Sequence, residues 1–288
     1  MKYTRGFTLI ELMTAVFLGS LITIAGIGLY AASQKMYINQ EAISSNQYIA
    51  DRGLNFISEN IRKSVINQSH VAHNGSTIGS GIILGAGNYA NNMDISNHYI
   101  SSSEAGASFV NKASDQLVIK YKPKKIDTYD CEGSKISALD REVVERYFVR
   151  TSDDGKSLVL ACDSGRFSAT SGLTDMGGKG VELIPNVVYF HLLINVQTVS
   201  GSVIQMRDMT IAQYKADTTK PRIVGVQVGI INHSNQSVGL NKADNISSTI
   251  PILNENVTLN SSIQNIANQK LFNSTIRTVA IRNGSGGV

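Results

Sequence analysis

The feature that most constrains this chain is an uncharged run near its start, residues 12–34. If helical, this run is about 34 Å long, enough to cross the roughly 30 Å hydrocarbon core of a bilayer. Lys2 and Arg5 precede the run, so the positive-inside rule predicts a cytoplasmic N-terminus and export of everything that follows. The sequence therefore predicts a single-pass membrane segment with an exported C-terminal part.

A carboxylate, Glu11, stands directly before this run. An unpaired carboxylate in hydrocarbon is costly, so a residue of this kind usually has a partner and a function. The simplest alternative is a cleaved secretory signal peptide, whose apolar region should be uncharged and about 7–15 residues long. The longer run and the presence of Glu11 favour a retained helix over a signal peptide.

The helix is predicted to continue beyond the apolar run. Residues 33–68 contain no proline, and their apolar residues recur at helical spacing. The predicted stripe consists of Ala50, Leu54, Ile57, Ile61 and Val65. One helix from about residue 7 to residue 68 would be near 90 Å long, apolar all round in its first half and amphipathic in its second.

Residues 5–13, RGFTLIELM, strongly resemble the type IV prepilin signature, which type II secretion pseudopilins also carry. The resemblance implies that a prepilin peptidase cuts between Gly6 and Phe7 and methylates the new amino group. It also implies that Glu11 pairs with the terminal amine of a neighbouring subunit during assembly. At low dielectric such a pair offsets several kcal/mol of desolvation that an unpaired glutamate would not recover.

This resemblance sets the expected domain organisation. Residues 1–6 would be a prepilin leader, 7–32 a transmembrane and assembly helix, 33–68 an amphipathic helix that enters the head, and 69–288 a β-rich head. The expected location is the bacterial inner membrane, with the head in the periplasm, followed by a pilus on the cell surface.

The head is predicted to be antiparallel and to cover the helix stripe, which gives an α+β class with the pilin fold. Residues 153–155, Asp-Asp-Gly, indicate a hairpin turn, and alternation in 223–231 places Val224, Val226, Val228 and Ile230 on one face. Residues 232–270 are an Asn/Ser-rich excursion, with small strands of its own or partly disordered. Candidate strands are 82–84, 117–121, 147–150, 158–161, 187–194, 223–231 and 274–282.

Cys131 and Cys162 are the two cysteines of the chain. An even cysteine count in an exported chain favours a disulfide. A metal site usually needs more Cys or His ligands at short spacing, and a redox pair usually reads C-x-x-C. We therefore predict a structural disulfide.

The head has a second, narrower resemblance, to PilW-type minor pilins. It rests on spaced segments at 115–121, 130–133, 145–149, 160–163, 224–228 and 278–283. The resemblance implies a low-abundance subunit that acts with other minor pilins, the major pilin, a pilus tip protein and the inner-membrane assembly platform. Such a subunit helps prime assembly and sits at the tip of pili used in twitching motility, adhesion or DNA uptake.

No catalytic constellation is apparent, because G-x-S-x-G, H-E-x-x-H and P-loop motifs are missing. His70 and His73 could supply two metal ligands without a third nearby, so surface polar residues are the preferred interpretation. His191 is expected on the outer side of the sheet or hydrogen-bonded in the core. The sequence predicts a protein that is not an enzyme and has no cofactor or bound metal.

The formal net charge of +4 gives no warrant for general nucleic-acid binding. The one basic cluster surrounds an aromatic residue and consists of Lys120, Lys122, Lys124 and Lys125. It is a candidate DNA contact, although most such runs are solvated strand ends. Two other functions stay open: a minor pseudopilin of a type II secretion system, and an exported hydrolase or adhesin with a pilin-like anchor.

Overall fold

The computed structural model describes residues 6–66, 73–90, 99–201, 203–237, 249–263 and 270–281. The chain begins with helix α1, Leu9–Ile66, whose 58 residues make it about 87 Å long. The helix passes through Gly26 and Gly28 without interruption, since glycine weakens a helix rather than breaking it. By length and composition its first part is apolar enough to cross a membrane.

The two halves of α1 have different surroundings. Every residue from 6 to 38 is exposed in the chain, whereas a buried stripe begins at Ala42 and continues through Asn46. The predicted stripe of Ala50, Leu54, Ile57, Ile61 and Val65 is confirmed, with no member more than 3% exposed. The sequence pattern therefore located the docked face but began it two turns too late.

The strands of the head, in chain order, are β1 (Ser102–Gly106), β2 (Ser114–Tyr121), β3 (Thr128–Tyr129), β4 (Lys135–Ile136), β5 (Glu142–Thr151), β6 (Leu158–Ser168), β7 (Gly172–Thr174), β8 (Val181–Ile184), β9 (Val187–Ser200), β10 (Val203–Met209), β11 (Arg222–His233), β12 (Thr249–Ile252), β13 (Glu255–Thr258) and β14 (Phe272–Ala280). A short helix, α2 (Ile211–Ala216), lies between β10 and β11.

These strands form two main antiparallel sheets. The first has the order β1-β2-β5-β6-β7, with β8 also paired to β6. The second has the order β10-β9-β11-β14. Two small hairpins, β3–β4 and β12–β13, stand apart from them. The predicted α+β class with an antiparallel head is confirmed, although the head has two principal sheets.

One hydrophobic core joins α1 to both sheets. Leu54 and Ile57 belong to the same buried cluster as Leu117 and Leu160 of the first sheet and Val226 of the second. The approach is close at Gly53, where an added Cβ would lie 2.2 Å from Ile184 Cγ1. A residue with a side chain at this position would therefore force the Ile184 side chain to move.

The predicted hairpin turn joins β5 to β6. The Ser152 amide donates to the Ser157 carbonyl at 2.9 Å, and Gly155 adopts a left-handed conformation with φ +74°. The predicted alternation in β11 is partly wrong. A register shift between Ile223 and Gly225 relative to β9 marks a bulge, so Ile223 is buried while Val224 is half-buried.

The remaining predictions concern the loops. Residues 82–84 form no extended strand; Ile82 makes an isolated bridge to Ile119, and the Ile83 amide donates to the Val118 carbonyl at 2.9 Å. Of the Asn/Ser-rich excursion, the structure describes a hairpin, β12–β13, whose Ile252 and Val257 pack on Tyr189. Residues 238–248 and 264–269 lie outside the described parts of the chain.

Candidate functional site

The N-terminus of α1 is closed by a reciprocal pair of side chains. The Thr8 amide and hydroxyl both donate to Glu11 Oε2, each at 2.9 Å, and the Glu11 amide donates to Thr8 Oγ1 at 3.4 Å. Thr8 is the residue before the helix and Glu11 is its third residue, which defines a capping box. Negative charge at a helix N-terminus is also favoured by the helix dipole.

The surroundings of this cap are apolar and open. Phe7 is 91% exposed and Leu9 77% exposed, and among the described residues only Thr8 hydrogen-bonds the Glu11 carboxylate. Gly6 lies just before the helix, while Lys2 and Arg5 fall outside the described residues. The sequence-based interpretation looked for an intermolecular partner of Glu11 and overlooked the local one, although the Thr-x-x-Glu pattern before an apolar run signals it.

Cys131 and Cys162 are joined in a disulfide bond. Cys162 lies on β6, and Cys131 lies in the loop before β4. A cross-link over a separation of 31 residues stabilises the fold by roughly 3–4 kcal/mol in the chain-entropy model. The bond therefore links the loop between β3 and β4 to the first sheet.

Beside the disulfide lies a fully buried carboxyl group, Glu145 of β5. The Tyr121 hydroxyl and the Cys131 amide donate to its Oε1 at 3.0 and 3.1 Å, and the Tyr147 hydroxyl donates to its Oε2 at 2.6 Å. Burial raises the pKa of the Glu145 carboxyl, while the Tyr147 and Tyr121 hydroxyls oppose that rise. Sequence reasoning missed this residue, since nothing in an alternating strand distinguishes a buried glutamate from an exposed one.

The structure separates the four predicted lysines. Lys120 is 3% exposed, lies 5.3 Å from the centre of the Phe167 ring, and donates to Glu142 at 2.7 Å. Lys120 is therefore unavailable to phosphate groups, contrary to the prediction. Lys122, Lys124 and Lys125 are exposed and line a cavity of about 260 Å³ together with Lys63.

Among the described residues, His73 and His191 have separate hydrogen-bond partners and share no site. His73 is fully buried, which corrects the surface interpretation, and its Nδ1 lies 3.3 Å from the donating Gly81 amide; His70 is outside the described residues. His191 is hydrogen-bonded in the core, as one of the two expectations held. Its Nδ1 lies 2.8 Å from Asp115 Oδ2, and its Nε2 lies 3.1 Å from Asn254 Oδ1.

Comparison with known proteins identifies the N-terminal segment. Residues 1–27 match the family model described as the prokaryotic N-terminal methylation motif. This segment contains Gly6, Phe7 and Glu11. The chain is thus type IV pilin-like in its N-terminal segment, with a prepilin-type methylation motif at the start of a long apolar helix.

One solved structure with some similarity is a type IV-like pilin from Thermus thermophilus. The match has 12% sequence identity, covers 60% of this chain and 82% of that chain, and gives a TM-score of 0.31. No curated protein sequence matches the chain.

Proposed function

We propose that this chain is a minor type IV pilin of the PilW type, a non-enzymatic subunit that helps prime pilus assembly and sits at the pilus tip. The observation that carries the proposal is the first half of α1. Residues 6–38 are exposed throughout, residues 12–34 among them carry no charge and are mostly apolar, and the segment begins with the methylation motif. Such a surface needs lipid or other helices around it.

In this proposal, proteolytic processing creates the terminal amine that takes part in assembly. A prepilin peptidase cuts between Gly6 and Phe7 and methylates the Phe7 amine. Glu11 then has two possible partners: Thr8 of its own helix and the terminal amine of a neighbouring subunit. Because the Thr8 bonds satisfy only one carboxylate oxygen, Oε2, the other oxygen can accept from an ammonium group.

The size of the head supports a position at the filament end. Two main sheets and the β12–β13 hairpin make a head too bulky for dense repetition along a slender filament. The proposed partners are other minor pilins, the major pilin, a tip protein and the inner-membrane assembly platform. The proposed route runs from the inner membrane, with the head in the periplasm, to the cell-surface pilus.

The Glu11→Ala variant tests the assembly role. We expect the mature protein still to begin at a methylated Phe7, as shown by N-terminal mass spectrometry, while its amount in sheared pili falls at least tenfold. The Glu59→Ala variant is the matched control, because Glu59 is an exposed carboxylate on the docked half of the same helix. Normal incorporation of Glu11→Ala would show that Glu11 has no role in assembly.

Deletion of the gene separates the pilus from a secretion pseudopilus. The proposal predicts loss or strong reduction of surface pili with normal secretion of exported enzymes. The reverse phenotype would assign the chain to a type II secretion system instead.

A further inference from the structure

A small cavity lies between the last turn of α1 and the β3–β4 hairpin. Its volume is about 260 Å³, and no carboxylate belongs to its lining. The lining residues are Lys63, Tyr121, Lys122, Pro123, Lys124, Lys125, Thr128, Tyr129 and Ile136. We call this cavity the lysine pocket.

The walls of the lysine pocket contain four lysines and no acidic residue. The lysines come from two separate places, the end of α1 and the segment after β2, and all four are exposed. Lys63, Lys124 and Lys125 carry like charges around this cavity, so an anion bound among these three lowers their mutual repulsion. An ammonium group also gives charge-assisted hydrogen bonds to carboxylate or phosphate oxygens.

The floor of the pocket is held in place by the buried carboxyl of Glu145. Tyr121, which lines the pocket, donates to Glu145 Oε1, and Tyr147 donates to Oε2. Asn60 Nδ2 donates to the Tyr147 hydroxyl at 2.8 Å, and Lys63 Nζ donates to Asn60 Oδ1 at 2.8 Å. One hydrogen-bonded network therefore positions a lining tyrosine and a lining lysine before any ligand arrives.

The rest of the lining is mainly apolar and consists of Pro123, Thr128, Tyr129 and Ile136. Ile136 is buried, and the exposed Tyr129 offers a ring on which a flat or CH-rich face can stack. Pockets for drug-sized ligands usually measure about 300–1,000 Å³, so this one fits a body of about one ring. We infer that the lysine pocket binds a carboxylate or phosphate group carried on a single ring.

The neighbouring surface favours a compact anion over an extended polyanion. Asp127 adjoins the pocket and pairs with Lys135 at 2.8 Å. Ile136 lines the pocket, whereas Lys135 and Ser137 line a second cleft of about 560 Å³. That cleft has four carboxylates, from Asp130, Glu132, Asp140 and Asp175, and three cations, from Lys135, Arg141 and Arg166. Arg166 pairs with Asp130 at 2.6 Å. The cleft thus has one more carboxylate than cations, and the surface lined by lysines without carboxylates does not continue into it.

This inference goes beyond the proposed role in pilus assembly, because it concerns a ligand of the head. It is tested on the purified full chain in non-ionic detergent micelles, so its failure and a failure of the assembly proposal are separate results. Saturation-transfer NMR compares glucuronate with glucose, and phenyl phosphate with phenol, which distinguishes a sugar ring from an aromatic ring. Inorganic phosphate and a single-stranded oligonucleotide complete the set.

We expect at least one ring-borne anion to bind about tenfold or more tightly than its neutral counterpart and than inorganic phosphate, since a charge-assisted hydrogen bond is roughly twice as strong as a neutral one. The double variant Lys124→Gln/Lys125→Gln should weaken that binding at least about tenfold. Lys156→Gln/Lys179→Gln removes the same charge from exposed lysines outside the pocket and should leave binding unchanged. Near-UV circular dichroism checks that all variants are folded.

Several results would overturn the inference. Equal binding of the charged and neutral ligands would show that the lysines do not contribute to binding. Equal binding of inorganic phosphate and the ring-borne anions would show that the ring does not contribute. If both double variants weakened binding equally, the effect would come from the net charge of the protein and not from the pocket. Two further results would exclude this site. One is binding of the oligonucleotide alone, which the DNA-contact prediction for Lys120, Lys122, Lys124 and Lys125 implies. The other is that none of the probes binds at about 20 mM.

Discussion

Helix α1 contains two regions with the same backbone and opposite surroundings. From residue 6 to residue 38 each side chain is exposed, whereas the docked half, from Ala42 to Ile66, buries one stripe against both sheets. Within the first region residues 12–34 are uncharged and mostly apolar on every face, whereas the second region is apolar on one face only. The comparison teaches that the docked half has its partners in the same chain and that the exposed half requires partners outside it.

Charged groups on the two halves follow the same division. Asp51, on the docked half, accepts from Arg277 of β14 at 3.2 Å, so it connects the helix to a distant part of the sequence. Glu11 reaches only Thr8 among the described residues. Asp51 thus links the docked half to the head, while Glu11 closes its own helix and keeps capacity for a second partner.

The comparison is tested most strongly by removing the same side chain from each half. Ile57 is fully buried and Ile22 is 73% exposed. We expect Ile57→Ala to lower the free energy of unfolding of the head by about 3 kcal/mol, because buried Ile→Ala changes typically cost 2–5 kcal/mol. Ile22→Ala should change it by less than about 0.5 kcal/mol.

The measurement is denaturant unfolding of the full chain in micelles, followed by near-UV circular dichroism of the head tyrosines. Equal effects of Ile57→Ala and Ile22→Ala would mean that the exposed half also supports the head. That outcome would remove the distinction between the two halves.

The docked stripe could be predicted from the sequence, because apolar residues at helical spacing indicate a buried helix face. Ala50, Leu54 and Ile57 were identified without any structure, and the extension to Asn46 was missed because a buried asparagine does not match an apolar pattern. Burial of Asn46 is tolerated because its amide oxygen is satisfied: Asn232 Nδ2 donates to its Oδ1 at 2.5 Å. That partner is 186 residues away and could not be read from local spacing.

The predictions that failed depended on long-range neighbours. Lys120 belongs to a basic cluster in the sequence, but Glu142 on the adjacent strand and the Phe167 ring bury it. Val224 alternates with its neighbours, but the bulge against β9 changes the phase of the strand there. Glu145 and the lysine pocket depend on Asn60 of α1 meeting Tyr147 of β5, a contact that spacing alone does not reveal.

A third region, the β12–β13 hairpin, is attached to the main sheets through His191. Asp115 on β2 contacts its Nδ1, while Asn254 Oδ1 and Glu255 Oε1 lie 3.1 and 3.7 Å from its Nε2. Tyr189 stacks on the ring, and Lys112 pairs with Glu255. Burial lowers the pKa of His191, but the hydrogen bond and charge of Asp115 and the charge of Glu255 raise it, and the pKa lies above its ordinary value.

Because the pKa of His191 is raised, its contribution to holding the β12–β13 hairpin on the main sheets depends on pH. A histidine whose folded-state pKa exceeds its unfolded value, about 6.5, contributes stability fully below that value and loses it as pH rises through the folded-state pKa. We expect His191→Gln to cost about 1–3 kcal/mol at pH 5.5, because it removes a buried charge-assisted hydrogen bond, and less at pH 9.

The unfolding free energy of the parent minus that of the variant, measured from pH 5.5 to 9, isolates His191 from the other histidines. Burial lowers the pKa of His73 and of His233, so these residues act with the opposite sign in both proteins and cancel in the difference. A difference that stays flat with pH would show that His191 acts only by packing.

The smallest expected effect lies at the exposed end of α1. Thr8→Ala removes the hydroxyl half of the capping box and should destabilise the first turn by about 1 kcal/mol, within the usual range for loss of an N-cap. Amide exchange at residues 9–12 in micelles should accelerate about fivefold. The unfolding midpoint of the head should not move, since nothing in the described head contacts Thr8.

The matched control is Thr14→Ala. The Thr14 hydroxyl donates to the carbonyls of Ile10 and Glu11, both at 3.0 Å, so it belongs to the same apolar segment and takes no part in the cap. Its loss should leave exchange at residues 9–12 nearly unchanged, because bonds from threonine back to its own helix add little. If both variants accelerated exchange equally, the first turn would be responding to any change in the segment, and the Thr8–Glu11 capping box would not be what holds the helix start in the free subunit.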